Sequence, residues 1–434
     1  MGETDTDAAD QFDERVSARR MDESTPGLWR RTLSLPRNVV AISLVSLLND
    51  ASSEIIYPFL PLFLAATLGA TPFAIGLIEG GAESVSSLLK LLSGYFSDRR
   101  GRRKGLVVFG YGLASLMRPL LAFATSWPQV LFIRLTDRVG KGLRSAPRDA
   151  MIADSARAEE RGLAFGFHRA MDHTGAVVGP VIGYAILSLV AANAAAPTAA
   201  DYKTMFLIAS VPALAAVLVA VFFVRETARA RGTGAAAEPP PRLSLRGFDG
   251  NFKRFLVILA LFTLSNSSDS FLLLRAREAG VSAAAIPLLW AALHVSKVCS
   301  SLVGGDLSDR LGRRTLIVSG WLLYAAVYAR FAYVSSAVEV WALFLVYGVY
   351  FGLVEGTEKA LVADLVRPEQ RGTAYGLYNL AFGVTVLPAS LLMGGLWQWK
   401  GAATAFVVSG AIGGLSALLL ALLVRPGRGR ARQH

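Results

Sequence analysis

Long apolar runs recur along the chain, and each ends at a short stretch of Gly, Pro or charged residues. A helix needs about 20 apolar residues to cross the hydrocarbon layer of a bilayer, so runs of this length predict membrane spans rather than buried core helices. Both termini should lie on the same face if the number of spans is even. We predict an all-α membrane protein with twelve spans, near residues 37–67, 72–97, 104–124, 127–152, 161–190, 203–224, 252–275, 282–307, 315–334, 338–365, 372–396 and 402–424.

The longest polar interruption between spans lies midway along the chain, at residues 225–251, and is rich in Arg, Pro and Gly. Such a composition is typical of a linker. We therefore predict an N-terminal six-helix bundle at 37–224 and a C-terminal six-helix bundle at 252–424. The polar, mixed-charge residues 1–36 predict a disordered tail without a cleavable signal peptide, and residues 425–434 form a basic tail.

The two halves share sequence. Shifted by 210 residues, the segment 143–166 lies over 353–376 and pairs Asp154 with Asp364. The decapeptide GYFSDRRGRR at 94–103 returns 211 residues later as GDLSDRLGRR at 305–314. These matches indicate a duplication and predict two parallel six-helix repeats, with a substrate handled between them.

Each copy of the decapeptide ends one span and begins the next. Its Gly residues let helices approach closely, its Asp can accept from a neighbouring helix N-terminus or an Arg, and its Arg cluster suits the anionic cytoplasmic interface. The alternative is a basic loop that only sets topology. We predict a cytoplasmic gate between spans 2 and 3 and between spans 8 and 9, formed by Gly94, Asp98, Arg99, Gly101, Arg102, Gly305, Asp309, Arg310, Gly312 and Arg313.

The repeated decapeptide resembles motif A of the major facilitator superfamily, and the resemblance covers residues 37–424. It implies the twelve-helix fold of that family. The fifth span, GFHRAMDHTGAVVGPVIG, resembles motif C of the drug:proton antiporter branch, which implies export. The fourth span lacks that branch's R-xx-Q-G order, and the overall pattern is similar to uncharacterised bacterial and archaeal members. In the fifth span a small-residue face and a kink are predicted at Gly166, Gly175, Gly179, Pro180 and Gly183.

Composition agrees with a membrane protein, since 53% of the residues are hydrophobic, 18% are charged and the mean hydropathy is +0.46. The net charge of +12 could suggest nucleic-acid binding. Basic residues concentrate on one side of the predicted spans, however, and the loops of the other side hold only Lys203, Arg275, Arg277 and Lys400. The positive-inside rule explains this charge without nucleic acid, and it predicts a bacterial inner-membrane protein with cytoplasmic termini.

Charged residues inside the predicted spans are costly and are therefore candidate functional residues. Asp50 lies about 13 residues into a span that needs ~20, near the midplane, where alternating access can expose it to either side. We predict Asp50 as the principal proton carrier, with Arg138 as its cationic partner. The alternative is a fixed salt bridge that never titrates. The four candidates for proton coupling are Asp50, Glu54, Glu79 and Glu83.

Further polar residues in the spans are candidates for lining a substrate cavity, although interhelical salt bridges could account for many of them. His168 and His173 are five residues apart, about 140° around a helix, so no metal site is predicted. No phosphate-binding loop or nucleophile signature is present, so neither a cofactor nor an enzyme is predicted. The cavity candidates are Asn49, Arg118, Arg134, Arg138, His168, Arg169, Asp172, Asp269, His294, Lys297, Glu355, Glu358 and Asn379.

Together these features favour a monomeric, proton-coupled secondary transporter that exports a small molecule by alternating access. Its expected partners are the substrate, protons and the lipid bilayer. Two alternatives stay within transport: proton-coupled uptake of an organic anion or metabolite, and efflux of a metal ion or metal chelate. Outside transport, a membrane receptor or scaffold and an intramembrane enzyme are the competing hypotheses.

Overall fold

A computed structural model describes residues 34–100, 103–157, 160–227, 244–367 and 370–425. The side chains of residues 95, 96, 98–100, 302, 305, 306 and 309 lie outside this description. The predicted disordered N-terminal tail, the centre of the predicted linker and the predicted basic C-terminal tail fall almost entirely on residues that are not described.

The first half contains six long helices in the described residues. They are α1 (Arg37–Ile56), α2 (Pro72–Arg100), α3 (Lys104–Leu120), α4 (Trp127–Ser155), α5 (Arg161–Val190) and α6 (Ala199–Phe222). After α1, a short helical stretch at Leu60–Leu62 leads into a π-helical turn at Phe63–Thr67. The second half contains α7 (in two segments, Gly250–Ser265 and Ser270–Glu278), α8 (Ile286–Leu311), α9 (Arg313–Phe331), α10 (Ala337–Leu365), α11 (Arg371–Lys400) and α12 (Ala402–Leu423).

The described part of the chain contains nine helices that are long and apolar enough to cross a membrane. The helices α2, α4 and α9 are not among them. Charged residues run along α4, in the stretch RLTDRVGKGLRSAPRD, and lower its hydropathy. The described part of the chain is almost entirely helical, and a bilayer crossing by all twelve stretches stays a prediction.

The seventh predicted span differs from the structure, which breaks α7 between Ser265 and Ser270. The intervening sequence is SNSSD, and short polar side chains compete with the helix for backbone hydrogen bonds. The backbone N–H of Ser270 donates to Ser268 Oγ at 3.2 Å instead of to a helical carbonyl. Asp269 lies at the start of the second segment and accepts from Tyr347 Oη at 2.8 Å. The break therefore brings an acidic side chain into the bundle interior.

The two halves meet along two helix pairs, α2 with α11 and α5 with α8. At the first pair, a Cβ on Gly80 would lie 2.6 Å from Ser390 Cβ and 3.1 Å from Leu387 Cα. Nearby, Ser84 Oγ donates to the Gly383 carbonyl at 2.7 Å. Small residues thus let α2 and α11 approach backbone to backbone, and the space between the two helix pairs forms a cleft.

Within the first half, α5 packs closely on α1. A Cβ on Gly175 would lie 2.7 Å from the Leu47 carbonyl, and one on Gly179 would lie 2.6 Å from the Ala51 carbonyl. Gly183 also faces α1, whereas a Cβ on Gly166 would meet nothing within 4 Å. Three of the four predicted glycines therefore line this crossing, and Pro180 is buried inside α5.

Candidate functional site

A cavity of about 790 Å³ lies between the two halves. Ten Lys and Arg side chains and seven Asp and Glu side chains line it, which gives its wall a net formal charge of +3. Most of the residues selected from the sequence are found here. They are Asn49, Asp50, Glu54, Glu83, Arg118, Arg134, Arg138, Arg169, Asp172, Asp269, His294, Lys297 and Glu355.

A second cavity, of about 420 Å³, adjoins the first. Of the four remaining candidates, Glu358 and Asn379 line this second cavity, and Glu79 and His168 line neither. The two cavities form one continuous cleft because they share seven lining residues, namely Glu83, Lys90, Lys141, Ser145, Phe351, Glu355 and Lys359.

A buried ionic network holds α2, α3 and α4 together. Arg134 donates to both carboxylate oxygens of Glu79, at 3.2 and 2.8 Å. Asp137 lies 3.9 Å from each of Arg118, Arg134 and Arg138. Glu79 does not line the large cavity, since it lies behind Arg134. This geometry suits a fixed pair better than an exchangeable proton.

The predicted proton carrier is connected to that network through one amide. Arg118 donates to Asn49 Oδ1 at 2.7 Å and to the Asn49 carbonyl at 3.1 Å. Asn49 Nδ2 in turn donates to Asp50 Oδ1 at 2.9 Å. Asp50 therefore faces the cavity without a direct bond to any Arg among the described residues, and Arg138 pairs with Asp137 instead.

One end of the cleft is closed by a contact between the halves. Trp290 Nε1 on α8 donates to Glu54 Oε2 on α1 at 2.8 Å. The ring of Tyr57 lies 5.0 Å from the Trp290 ring, and Trp290 is only 4% exposed. At the opposite end, nearer the decapeptide copies, Lys90, Glu355 and Lys359 are exposed, so solvent reaches the cleft from that side.

The wall from the second half is aromatic as well as polar. Glu358 accepts from Trp321 Nε1 at 3.0 Å and from Tyr378 Oη at 2.7 Å. The Lys297 ammonium lies 3.4 Å from the centre of the Phe351 ring. The His294 ring packs edge-to-face against Trp290. Its Nε2 has no hydrogen-bond partner in the described part of the chain.

On α5, the His168 and Asp172 side chains lie 3.5 Å apart. His168 is buried away from the cavity, whereas His173 and Arg169 line it. Within the described residues, no group of three His, Cys, Asp or Glu side chains is arranged to hold a metal ion.

The predicted gate is described only in part. Gly101, Arg102 and the side chains of Asp98, Arg99 and Asp309 lie outside the described residues, as does the environment of Gly305. Arg103 pairs with Asp154 at the end of α4. In the second half, Arg313 pairs with Asp364 at 2.6 Å. Each copy therefore forms an ion pair with the end of α4 or α10, through its last arginine in the first copy and through the arginine before it in the second.

Sequence reasoning missed Tyr57, Trp290 and Tyr347, because aromatic residues are common in membrane helices and gave no local signal. The repeat could have revealed one of them. A shift of 211 residues puts Glu79, a buried acid, over Trp290. When one repeat has a charged residue and the other has a tryptophan at the equivalent position, that position is a candidate for a role at the cleft.

The Major Facilitator Superfamily model matches residues 42–384 and 255–434. The chain is 34% identical over 399 residues to an uncharacterised MFS-type transporter of Methanocaldococcus jannaschii, covering 89% of this chain and 94% of the relative. It is 24% identical to a probable sulfoacetate transporter of Cupriavidus necator, covering 83% and 86%. A D-xylose-proton symporter structure aligns with a TM-score of 0.73 at 18% identity, covering 91% and 99%. A bacterial homologue of the human lysosomal transporter Spinster, inward-facing and occupied, aligns with a TM-score of 0.73 at 16% identity, covering 89% and 96%.

The matches extend across both halves and agree with the repeated decapeptide and the cleft between the helical bundles. The chain is an integral membrane protein that belongs to the Major Facilitator Superfamily of transporters.

Proposed function

We propose that this protein is a proton-coupled secondary transporter of a small organic anion, working by alternating access. Residues 37–224 and 252–424, as two six-helix repeats with cytoplasmic termini, rock about the central cleft. The observation that carries the proposal is the net positive wall of the 790 Å³ cavity between the halves. The relative named for sulfoacetate, itself a small organic anion, supports the same substrate class.

The position of Asp50 suggests how a proton and an anion are coupled. Asp50 lines the cavity that carries the excess positive charge. At an effective dielectric constant of about 20, removing one negative charge ~8 Å from an anion favours binding by about 2 kcal/mol, a factor of ~30. A protonated Asp50 therefore favours the loaded cavity, and an ionised Asp50 favours release. Proton and anion then move in the same direction.

The exposed end of the cleft lies near the decapeptide copies, which the positive-inside rule assigns to the cytoplasm. The contact between Trp290 and Glu54 closes the opposite end. In this proposal the structure represents the state open to the cytoplasm, and breaking the contact at Trp290 opens the outer side. Placement in a bacterial inner membrane belongs to the same proposal.

Proton-driven efflux is the second candidate. The observation that favours it is the packing of Gly175, Gly179 and Gly183 against α1, because these glycines resemble motif C of the antiporter branch. Antiport requires that proton and cargo exclude each other. For an anionic cargo the charge argument above favours symport instead.

Purified protein in proteoliposomes distinguishes the two candidates. With labelled sulfoacetate and other small organic anions, symport predicts accumulation inside when the exterior is more acidic. Antiport predicts accumulation when the interior is more acidic. Protein-free liposomes give the background. Equal flux of every anion with and without a pH gradient would refute proton coupling.

The variant Asp50→Asn tests the proton carrier. An amide keeps the shape but cannot exchange the proton, so gradient-driven accumulation should be lost while anion exchange without a gradient continues. The matched control is Asp249→Asn, which alters an exposed helix cap that Asn can also form. Unchanged accumulation in Asp50→Asn, or joint loss of binding and expression, would show that Asp50 is not the carrier.

A further inference from the structure

We propose that the cargo is an amphipathic, ring-bearing anion whose charged head binds the first half and whose ring packs against the second half. This inference rests on the proposed function and narrows its substrate class. The residues that carry it line the second cavity, where the side from the first half has a net positive charge and the side from the second half is rich in aromatic rings.

The cationic wall comes from α2 and α4. Lys90 and Lys141 line both cavities. Neither has an ion-pair partner within 4 Å in the described part of the chain. Arg138, one turn before Lys141, has a buried Nε without a hydrogen-bond partner there, and Asp137 lies 3.9 Å away. Glu83 also lines this wall and offsets part of its charge. An anionic head would supply the missing partners.

The opposite wall comes from α7, α10 and α11. Phe262, Tyr350, Phe351 and Phe382 line it, beside the charged residues Glu355, Glu358 and Lys359. Phe262 stacks on Trp321 at 4.1 Å, and Tyr350 lies 4.9 Å from Phe351. Packing behind these rings fixes their orientation, so the wall offers rigid aromatic faces and edges to a planar ligand.

The duplication shows this division at two pairs of equivalent positions. A shift of 210 residues places Lys141 of α4 over Phe351 of α10, and both residues line both cavities. The same shift places Asp137 over Tyr347. At these two pairs the repeats have thus diverged, to charge in one half and to an aromatic ring in the other, whereas Arg148 and its equivalent Glu358 are both charged. A ligand between the halves meets different chemistry on each side.

The size of the second cavity agrees with a ring-bearing ligand. Its volume of about 420 Å³ lies within the usual range of ~300–1,000 Å³ for small-molecule sites. A very small anion would leave the aromatic wall without contact. Burying one phenyl ring there should tighten binding about 100-fold.

The test is calorimetric binding to purified protein in nanodiscs with three related probes. They are 3-phenylpropionate, propionate, which lacks the ring, and 3-phenylpropanamide, which lacks the charge. We expect 3-phenylpropionate to bind about 100-fold more tightly than propionate and at least ~10-fold more tightly than the amide. Equal affinity for 3-phenylpropionate and propionate, or tighter binding of the lipophilic cation tetraphenylphosphonium, overturns the inference.

Two variants separate the walls. Lys141→Gln should weaken 3-phenylpropionate about 10-fold and leave the amide unchanged, and Lys141→Arg should restore binding. Phe382→Ala should weaken both ring-bearing probes and leave propionate unchanged. The controls are Lys253→Gln, an exposed lysine, and Phe222→Ala, whose ring is 73% exposed on α6. If Lys141→Gln weakened all three probes equally, that variant would be misfolded. The test would then rest on Lys141→Arg, which should bind normally.

The binding experiment needs no proton gradient, so it can contradict the inferred substrate class without contradicting the proposed function. If the expected affinity order is found but no flux responds to a pH gradient, the binding inference stands and proton-coupled transport falls. If a gradient drives a ring-free anion and 3-phenylpropionate neither binds nor competes, transport stands and the ring-bearing class is wrong.

Discussion

Glu79 and Arg134 carry opposite charges on neighbouring helices, and each is only 7% exposed. Both carboxylate oxygens of Glu79 accept from the guanidinium of Arg134. Asp50, by contrast, has an amide as its hydrogen-bond partner and faces the cavity. Two acids that were both predicted to couple protons thus differ in their surroundings, since Glu79 is held in an ion pair and Asp50 faces the cavity.

We expect Arg134→Gln to lower the free energy of unfolding by about 3–5 kcal/mol, because Glu79 would remain buried without a counter-ion. The control is Arg330→Gln, which breaks the pair of Arg330 with Glu339, where the Arg side chain is 51% exposed. That change should cost no more than about 1 kcal/mol. Denaturation in detergent measures both variants, and equal losses would contradict a structural role for the buried pair.

At the scale of helices, the contact between α2 and α11 depends on the absence of side chains. A Cβ on Gly80 would lie within 3.1 Å of the α11 backbone, at Leu387 Cα. The adjacent Gly81 faces α4, where its nearest atom, Leu135 Cδ2, is 3.4 Å away. Neighbouring glycines therefore have different roles, one at the contact between the halves and one inside a half.

Gly80→Ala should lower the free energy of unfolding by about 1–3 kcal/mol and reduce transport, because α2 and α11 must separate to admit the methyl group. Gly81→Ala is the matched control and should change either property little, since its contact is ordinary and involves a side-chain end. Thermal unfolding and flux in proteoliposomes measure the effects. A tolerated Gly80→Ala would show that the halves can shift without loss.

The repeated ion pairs of Asp154 with Arg103 and of Asp364 with Arg313 join the decapeptides to the ends of α4 and α10. All four side chains are partly exposed. We expect the double variant Asp154→Asn/Asp364→Asn to lose no more than about 2 kcal/mol of stability but to transport several-fold more slowly. Glu278→Gln breaks an exposed pair with Arg275 at the opposite end of the bundle and should leave flux unchanged. Normal flux in the double variant would argue against a gate at the decapeptides.

At the scale of the whole molecule, we predict the orientation in the membrane from the basic loops. Cys299 is the only cysteine, so Cys299→Ser provides a background for single-cysteine labelling. A cysteine introduced at Ala235 should react with a membrane-impermeant maleimide only from the cytoplasmic side. A cysteine at Ala195, in the loop before α6, should react from the outside. Labelling of residue 235 in intact cells would reverse the proposed orientation, and with it the side to which the cleft opens.

The sequence by itself determined the membrane class, the approximate positions of the long helices apart from the break in α7, the repeated decapeptide and the family. These are local properties, since an apolar run of sufficient length has no stable alternative to a helix in lipid. A duplicated decapeptide can be recognised from the sequence without a structure. The sequence also identified most of the charged residues that line the cleft, because ionisable side chains in a span almost always face the bundle interior or a water-filled cavity.

Only the tertiary structure decided which of these charges pair and which face the cavity. Glu54 meets Trp290 across 236 positions of sequence, and Arg118 reaches Asn49 across 69. Such partners depend on how each helix is rotated and which helices are neighbours, and hydropathy specifies neither. The lysines of α2 and α4 likewise come to lie opposite the aromatic rings of α7, α10 and α11 only when the two halves pack around one cleft.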